Sequence, residues 1–336
     1  MIYLLSLLLL VITVFFLTYL YRVYKYSIIP RYTNDKGMEL YNNYDVDYHS
    51  QVLGCYYGDF IKGIRAFDRD ENGAVRWLNH RGTGEIIYNP NMIAEWALIT
   101  HDRYIHSKSN TDLVDFQNQI NWLVNNATEV NSNKVCWYYN FDFGKEKAPW
   151  GSAISQGMAI CALLRAYQFF KKEEYFDLAI KSFNMLNLNY EKGGFKFSDE
   201  KWKLWYEEDN YQGHILNGHI YALLGVYDLY RVTKDKKYYE SFIAGIDTIK
   251  ENIDVFDMGF NTKYDAKSLH PANNSYHYTH ITQFKILYRI TNDEVFKIYA
   301  NKFESYFNSF GDKIKTLILI LKLDVRSKLN IKNYPY

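Results

Sequence analysis

The sequence predicts a mainly α protein: an incomplete α/α toroid of about four helical hairpins, with short β-hairpins at one end, a small β region before it and a transmembrane helix at the amino terminus. Three observations predict it. From residue 89 onward a helical pattern echoes itself at intervals of roughly 60 residues, the mark of stacked supersecondary units. The stretches joining the units are short, aromatic and acidic, and contain glycine. Ahead of them, the first twenty residues form an apolar run without a charge.

That run, IYLLSLLLLVITVFFLTYL at residues 2–20, has about the length that crosses a bilayer core as a helix. Met1 leads straight into it and no small residues close it, so it reads as an uncleaved anchor over residues 1–24 rather than as a signal peptide. Arg22, Lys25 and Arg31 all follow the run, and the positive-inside rule places the rest of the chain in the cytoplasm, an orientation that a lone first helix can break. Residues 25–50 read as a tyrosine-rich stalk. Over residues 51–88 the turn signals DENG (70–73) and RGTGE (81–85) separate short runs such as IKGIRAF and EIIY, which predicts a small β region serving as a lid.

Four helix pairs occupy residues 89–312. CALLRAYQFFKKEEYFDLA aligns with YALLGVYDLYRVTKDKKYYESF and again with FKILYRITNDEVFKIYA. The first helix of a pair mixes small and polar residues with apolar ones: Ser152, Ser155, Gln156 and Gly157, then Asn217 and Gly218, then Thr279, His280 and Gln283. The second is conventionally amphipathic. Inner helices facing a central cleft need the first composition, and outer helices with one wet face need the second. Three connections (134–144, 193–209 and 258–269) each leave an outer helix for the next inner one, so they gather at one end, around the cleft mouth. The tail, 313–336, holds LILIL, too short to span a membrane. It reads as an extra strand, a dimer contact or a membrane-surface segment.

Composition bounds the function. Thirty-nine Lys+Arg against thirty-eight Asp+Glu leaves a formal charge of +1, which offers no field to attract DNA or RNA, so no nucleic-acid partner is expected. Cys55, Cys136 and Cys161 are too few and too far apart for a disulfide framework, and nine scattered histidines show no zinc spacing. No metal and no other cofactor is expected. Thirty-three tyrosines suit sugar binding, because the ring stacks on the apolar face of a pyranose while the hydroxyl bonds to its oxygens. The connections also carry Lys134, Lys145, Lys147, Lys196, Lys201, Lys203, Lys263 and Lys267 beside tryptophans and tyrosines. They form either a solvated rim or a groove for an anionic sugar chain. The expected partners are an acidic polysaccharide, a membrane through the first helix, and a second copy of the chain in a homodimer. Sequons stand at Asn126 and Asn273, relevant only in a glycosylating compartment.

APWGSAISQGMAICALLRAY, WYEED with HILNGHIYALLGVYDLY after it, NTKYDAK, and NSYHYTHITQFKILY follow one another in an order and spacing that resembles the carboxy-terminal domain of the D-glucuronyl C5-epimerases, over roughly residues 86–310. That resemblance implies an isomerase, without cofactor, that converts D-glucuronate to L-iduronate in a heparosan-like polymer. The family carries a larger β-rich amino-terminal portion, of which this chain has only the segment before residue 89. Inverting carbon 5 of a uronate requires two acid/base groups on opposite faces of the ring and a cation or donors at the carboxylate.

By the resemblance, Glu208 is one proton-transfer group, Tyr276 serves the other face, and Tyr264 relays a proton or orients the ring. Lys267 stands where the family has arginine to hold the carboxylate; lysine keeps the charge but loses the bidentate fork. Asn217, Trp205, Tyr206, Trp150 and His280 are expected in the wall. Where the family reads WYEEYP this chain reads WYEEDN, which puts Asp209 on a catalytic position. Either Tyr211 replaces the lost phenol, or Asp209 does acid/base work, or the reaction has changed. Two other readings stand beside the epimerase: a uronate lyase or hydrolase on a similar toroid, and a polysaccharide-binding protein without catalysis.

Overall fold

Four helices end on the same cap. Lys108, Lys171, Lys234 and Asn292 each adopt the left-handed conformation, with φ of 56°, 57°, 58° and 55°, and each directs its backbone N–H back to a tyrosine carbonyl four residues earlier. Such caps close a helix by turning the chain out of it. Their spacings of 63, 63 and 58 residues, by subtraction, carry the sequence repeat into the backbone.

The computed structural model describes residues 2–23, 46–58, 60, 68–77, 85–144, 146–208 and 211–328. In chain order the elements are α1 (Ile2–Val23), the strands β1 (Asp68–Arg69) and β2 (Val75–Arg76), α2 (Pro90–Ser107), α3 (Asn110–Asn125), β3 (Thr128–Asn131), β4 (Lys134–Cys136), α4 (Ala153–Phe170), α5 (Glu173–Leu186), β5 (Lys196–Phe197), β6 (Trp205–Tyr206), α6 (Leu216–Thr233), α7 (Lys236–Asn252), α8 (Asn274–Thr291), α9 (Glu294–Asn308) and α10 (Phe310–Lys328). Helices α2 and α3, α4 and α5, α6 and α7, and α8 and α9 pack as pairs, and α2, α4, α6 and α8 lie side by side as an inner row. Outer helices bury one stripe: α5 turns Tyr175, Ala179, Ser182, Phe183 and Leu186 inward. The inner α4 and α6 are buried along most of their length, which is why their patterns lack a wet face.

The strands form three two-stranded antiparallel hairpins, β1–β2, β3–β4 and β5–β6. The first closes over the DENG turn, with Asp68 opposite Arg76. IKGIRAF and residues 81–84 lie outside the described residues.

Helices α4 and α6 touch through glycine. A Cβ on Gly157 would sit 2.5 Å from Ala222 Cα and 2.7 Å from the Tyr221 carbonyl oxygen, and one on Gly225 would meet the Gly157 backbone at 2.5 Å. These neighbours are backbone and cannot swing aside. Gly157→Ala is therefore expected to destabilise the fold by about 1–3 kcal/mol through overpacking, read as a lower urea midpoint with an unchanged slope.

The C-terminal ends of the inner helices are strapped by residues 46–60. Tyr56 and Tyr57 are fully buried, with Tyr48, Leu53 and Phe60 nearly so. The backbone N–H of Tyr56 donates to Asp102 of α2 at 3.0 Å, and Leu53 N–H donates to Gln168 of α4 at 2.7 Å. Arg231 of α6 donates to the carbonyls of Ser50 and Asp47 at 2.9 and 2.7 Å, and Arg289 of α8 donates to the Tyr48 hydroxyl at 3.0 Å. At the centre Arg165 of α4 meets Asp228 of α6 at 2.6 Å with both side chains fully buried. Tyr57 donates to the same carboxylate at 2.5 Å. The stalk expected over 25–50 thus ends inside the helical body, at residues 46–50; residues 24–45 lie outside the described residues.

The fold class read from the sequence is corrected at the amino terminus. Residues 2–23 do form a helix, but among the described residues no helix is long and apolar enough to cross a membrane. The Tyr19 phenol bonds to the Asp324 carboxylate, so this end of α1 is fastened to the polar side of α10, against which it packs. The transmembrane anchor is therefore not part of this fold. Helix α10 also takes up LILIL, where a strand had been one of three readings.

Candidate functional site

Each of the three later inner helices holds the preceding connection by its fourth residue. In α4 this is Gln156, whose amide oxygen accepts from Trp137 N–H at 3.3 Å while its Nε2 donates to the Val135 carbonyl at 2.8 Å. In α6 it is His219, whose Nδ1 accepts from Tyr206 N–H at 2.9 Å. In α8 it is His277, whose Nδ1 accepts from Thr262 N–H at 3.2 Å. Buried polar side chains at one register, 63 and 58 residues apart by subtraction, thus draw three aromatic connections onto one end of the inner row. Inner helices that follow outer ones antiparallel all begin at that end, so the partial positive charges of their N-termini gather there.

Burial keeps these imidazoles neutral. The pKa of His219 is lowered to about 3, that of His277 to about 4 and that of His280 to about 3, in each case chiefly by desolvation. Unfolded histidine takes a proton near 6.5, so the unfolded chain binds more protons below that pH and stability falls as pH drops from about 6.5 toward 4–3. Each histidine adds about 1.4 kcal/mol of loss per pH unit in that window. Urea midpoints measured between pH 7 and pH 4.5 are expected to fall steadily, and His219→Gln, which keeps an acceptor, is expected to flatten the slope.

Glu208 is delivered to this end by the β5–β6 hairpin. Lys196 pairs with Tyr206 and Phe197 with Trp205, and the Trp205 ring stacks on His219 at 4.0 Å with 16° between planes. Beyond the hairpin Glu207 meets His214 at 2.5 Å, with both buried, and accepts from His214 N–H at 3.2 Å. Glu208 then lies against the first turn of α6, where a Cβ on Gly218 would be 2.1 Å from Glu208 Oε2. A side chain at Gly218 would push that carboxylate aside.

Tyr276 is the third residue of α8, where its N–H is capped by Asn273 Oδ1 at 3.0 Å. Its ring is 38% exposed and tilts against Tyr264 at 4.7 Å. The Tyr264 segment runs antiparallel to the start of α6: Leu216 N–H donates to the Tyr264 carbonyl at 3.3 Å and Ala266 N–H to that of Gly213 at 3.0 Å. Lys267 Nζ donates to the Tyr211 carbonyl at 3.0 Å.

One buried phenol reports which side chains share the space. Tyr221 of α6 has its pKa raised well above the ordinary tyrosine value, first by burial and then by the charges of Glu95, Tyr276 and Glu208. Tyr139, in the connection into α4, is likewise raised by burial and then by Glu208, with a Ser155 hydroxyl bond opposing. Glu208, Tyr276 and the half-buried Glu95 thus lie within electrostatic reach of Tyr221, and Glu208 of Tyr139, at the end of the row where Tyr264 meets Tyr276. Asn217 Oδ1 and Gln283 Oε1 are buried with no partner within the described residues, while Gln283 Nε2 donates to the Asn217 carbonyl at 3.0 Å.

Other expected residues fall elsewhere. Trp205 and Tyr206, strand β6 itself, are fully buried in the core. Trp150 stacks flat on Tyr139 at 4.0 Å and donates to the Phe141 carbonyl at 2.8 Å, so it supports the wall from behind. His280 is fully buried with Nδ1 2.9 Å from the Thr262 hydroxyl. Tyr211 is 41% exposed at the mouth, where its carbonyl accepts from Lys267. Asp209 and Lys145 lie outside the described residues. The sequence reading missed Glu95, Tyr139 and Tyr221. Tyr221 had a signal, since it follows Asn217 by four residues and shares its helix face.

A family model described as D-glucuronyl C5-epimerase C-terminus matches residues 131–305. The D-glucuronyl C5-epimerase of Caenorhabditis elegans is 28% identical over 239 residues, 65% of this chain and 37% of that protein. A protein of Methanocaldococcus jannaschii, described as uncharacterized, is 29% identical over 182 residues, 52% of this chain and 58% of its own length. The chain thus spans little more than a third of the worm enzyme. Among solved structures, a family 76 glycoside hydrolase (mannosidase) of Bacteroides thetaiotaomicron superposes with a TM-score of 0.49 at 17% identity, covering 71% of this chain and 64% of that one. A family 76 α-mannanase of the same species gives 0.45 at 13%, covering 69% and 62%.

Proposed function

Because the chain belongs to the family defined by the D-glucuronyl C5-epimerase carboxy-terminal domain, we propose that its cluster at the inner-helix N-termini epimerises D-glucuronate to L-iduronate within a heparosan-like polymer. The observation that carries the reading is that Glu208 packs against Gly218 in the first turn of α6, while Tyr276, in the first turn of α8, tilts against Tyr264, whose backbone carbonyl accepts from Leu216 N–H at the start of α6. Glu208 and Tyr276 come from separate hairpins and are of the kinds the reaction needs.

In this reading the Glu208 carboxylate takes the proton from carbon 5. The C–H electron pair moves into the adjoining carboxylate as an enolate, and the Tyr276 phenol returns a proton to the opposite face. No bond of the chain backbone breaks and no electrons leave the sugar. The growing charge on the uronate carboxylate is met by the gathered helix N-termini and by Lys267, held at the mouth on the Tyr211 carbonyl. Tyr264 braces the Tyr276 ring. In this reading the phenol that the family has at the position of Asp209 is supplied by the Tyr264–Tyr276 pair.

The test is to incubate a heparosan polymer with the protein in deuterated water. Deuterium at carbon 5 together with iduronate is expected. Chain shortening with new ultraviolet absorbance would instead identify elimination, and polymer binding without exchange would leave a sugar-binding protein.

A further inference from the structure

We propose that a second sugar site, for an uncharged N-acetylated hexose, lies between the C-terminal end of α3 and the outer face of the connection into α4. A cavity of about 370 Å³ opens there, within the range of ligand clefts, roughly 300–1,000 Å³. One wall is an aromatic platform, Tyr88 stacked on Trp122 with centroids 5.8 Å apart and planes at 19°. The side chains of Asn125 and Asn140 face the same space and bring both donors and acceptors. Ile86 and Phe141 supply the apolar surface that an acetyl methyl group needs.

Charge selects the ligand. Among the described lining residues there is a carboxylate, Glu85, and no cation, and α3 ends at Asn125 with its dipole's negative end beside the cavity. A uronate or a sulfate would be repelled; a neutral pyranose with an amide would not.

The cavity is not the cluster described above, but the two share a wall. Along the extended segment 138–140 successive side chains point to opposite faces. Tyr139 faces Ser155 and the field of Glu208, whereas Tyr138 and Asn140 line the cavity. A polymer in which uronate alternates with an N-acetylhexosamine matches that division, with the charged unit beneath the helix N-termini and a neutral one behind the wall. The polymer part of the inference rests on the epimerase reading; the preference of the cavity for a neutral sugar does not.

The experiment uses two kinds of probe. Methyl N-acetyl-β-glucosaminide and methyl β-glucuronide are followed by saturation-transfer NMR on the whole chain, and the part of each signal that Trp122→Ala removes reports the cavity. A heparosan octasaccharide, followed by calorimetry and by carbon-5 exchange, reports the cavity and the cluster together. The neutral probe is expected to bind the wild type and Glu208→Gln alike, and to lose its signal with Trp122→Ala and with Asn140→Asp, an exposed position where the fold is retained. In both cavity variants the octasaccharide affinity is expected to fall about tenfold, with KM raised and kcat kept. Undiminished neutral-probe signal in both variants, or a preference of the cavity for the glucuronide, overturns the proposal. Loss of the neutral probe in the variants without any exchange in the wild type would sink the epimerase reading and leave the cavity standing.

Discussion

Glu208→Gln is expected to lower carbon-5 exchange by about 10²–10⁴-fold, the range that a positioned acid/base group contributes, while far-ultraviolet circular dichroism stays unchanged. The substitution keeps the shape that fits against Gly218 and removes the basicity. An amide cannot accept the proton, so loss of rate without loss of fold isolates the chemistry. If exchange in Glu208→Gln matched the wild type, the base would have to be another of the carboxylates near Tyr221, and Glu95 is the next to test. Tyr276→Phe provides the companion measurement, because deleting its hydroxyl should stop reprotonation from the other face and leave the α8 cap at Asn273 intact.

Asp228→Ala is expected to cost about 3–5 kcal/mol, the penalty for breaking a buried ion pair by removing one partner. Asp228 is the counter-charge of Arg165 at 2.6 Å and of Arg231 at 3.3 Å, all essentially without solvent contact. Its loss strands two guanidinium groups in the core and strips Tyr57 of its acceptor. Urea unfolding of Asp228→Ala beside Lys203→Ala checks the claim. The Lys203–Glu251 pair is as close, at 2.5 Å against 2.6 Å for Arg165–Asp228, but is about half exposed, and such pairs contribute about 0–1 kcal/mol. Equal losses in the two variants would mean that the buried network is not what holds the strap.

The helical repeat was legible because hydrophobic periodicity survives in any window a dozen residues long, and the mixed composition of α4, α6 and α8 marked them as inner helices. Glu208, Tyr264 and Tyr276 were singled out through local motifs whose neighbours they keep, and the structure places all three at the N-terminal end of the inner row. Tyr139 and Tyr221 were not, because among 33 tyrosines a phenol in an apolar helix looks like packing until a distant carboxylate is placed beside it. Trp205 and Tyr206 erred the other way: adjacent strand residues next to a site were read as walls, whereas His219 draws both into the core. Hydropathy alone made residues 2–20 an anchor, and it carried no sign of the Tyr19–Asp324 bond. The sequence carries no local sign that Arg165 and Arg231 are buried, since Asp228 and the Ser50 carbonyl that receive them lie 63 and 181 positions away.

An open array of hairpins touches only nearest neighbours, so its end units can fray while the middle holds. The segment from Asp47 to Tyr57 changes that coupling, because it is bonded to Asp102, Gln168, Arg231 and Arg289, one residue from each inner helix. It acts like the hoop of a barrel: no stave can loosen before all do, and the four pairs gain the cooperativity of a closed ring from a dozen residues of irregular chain.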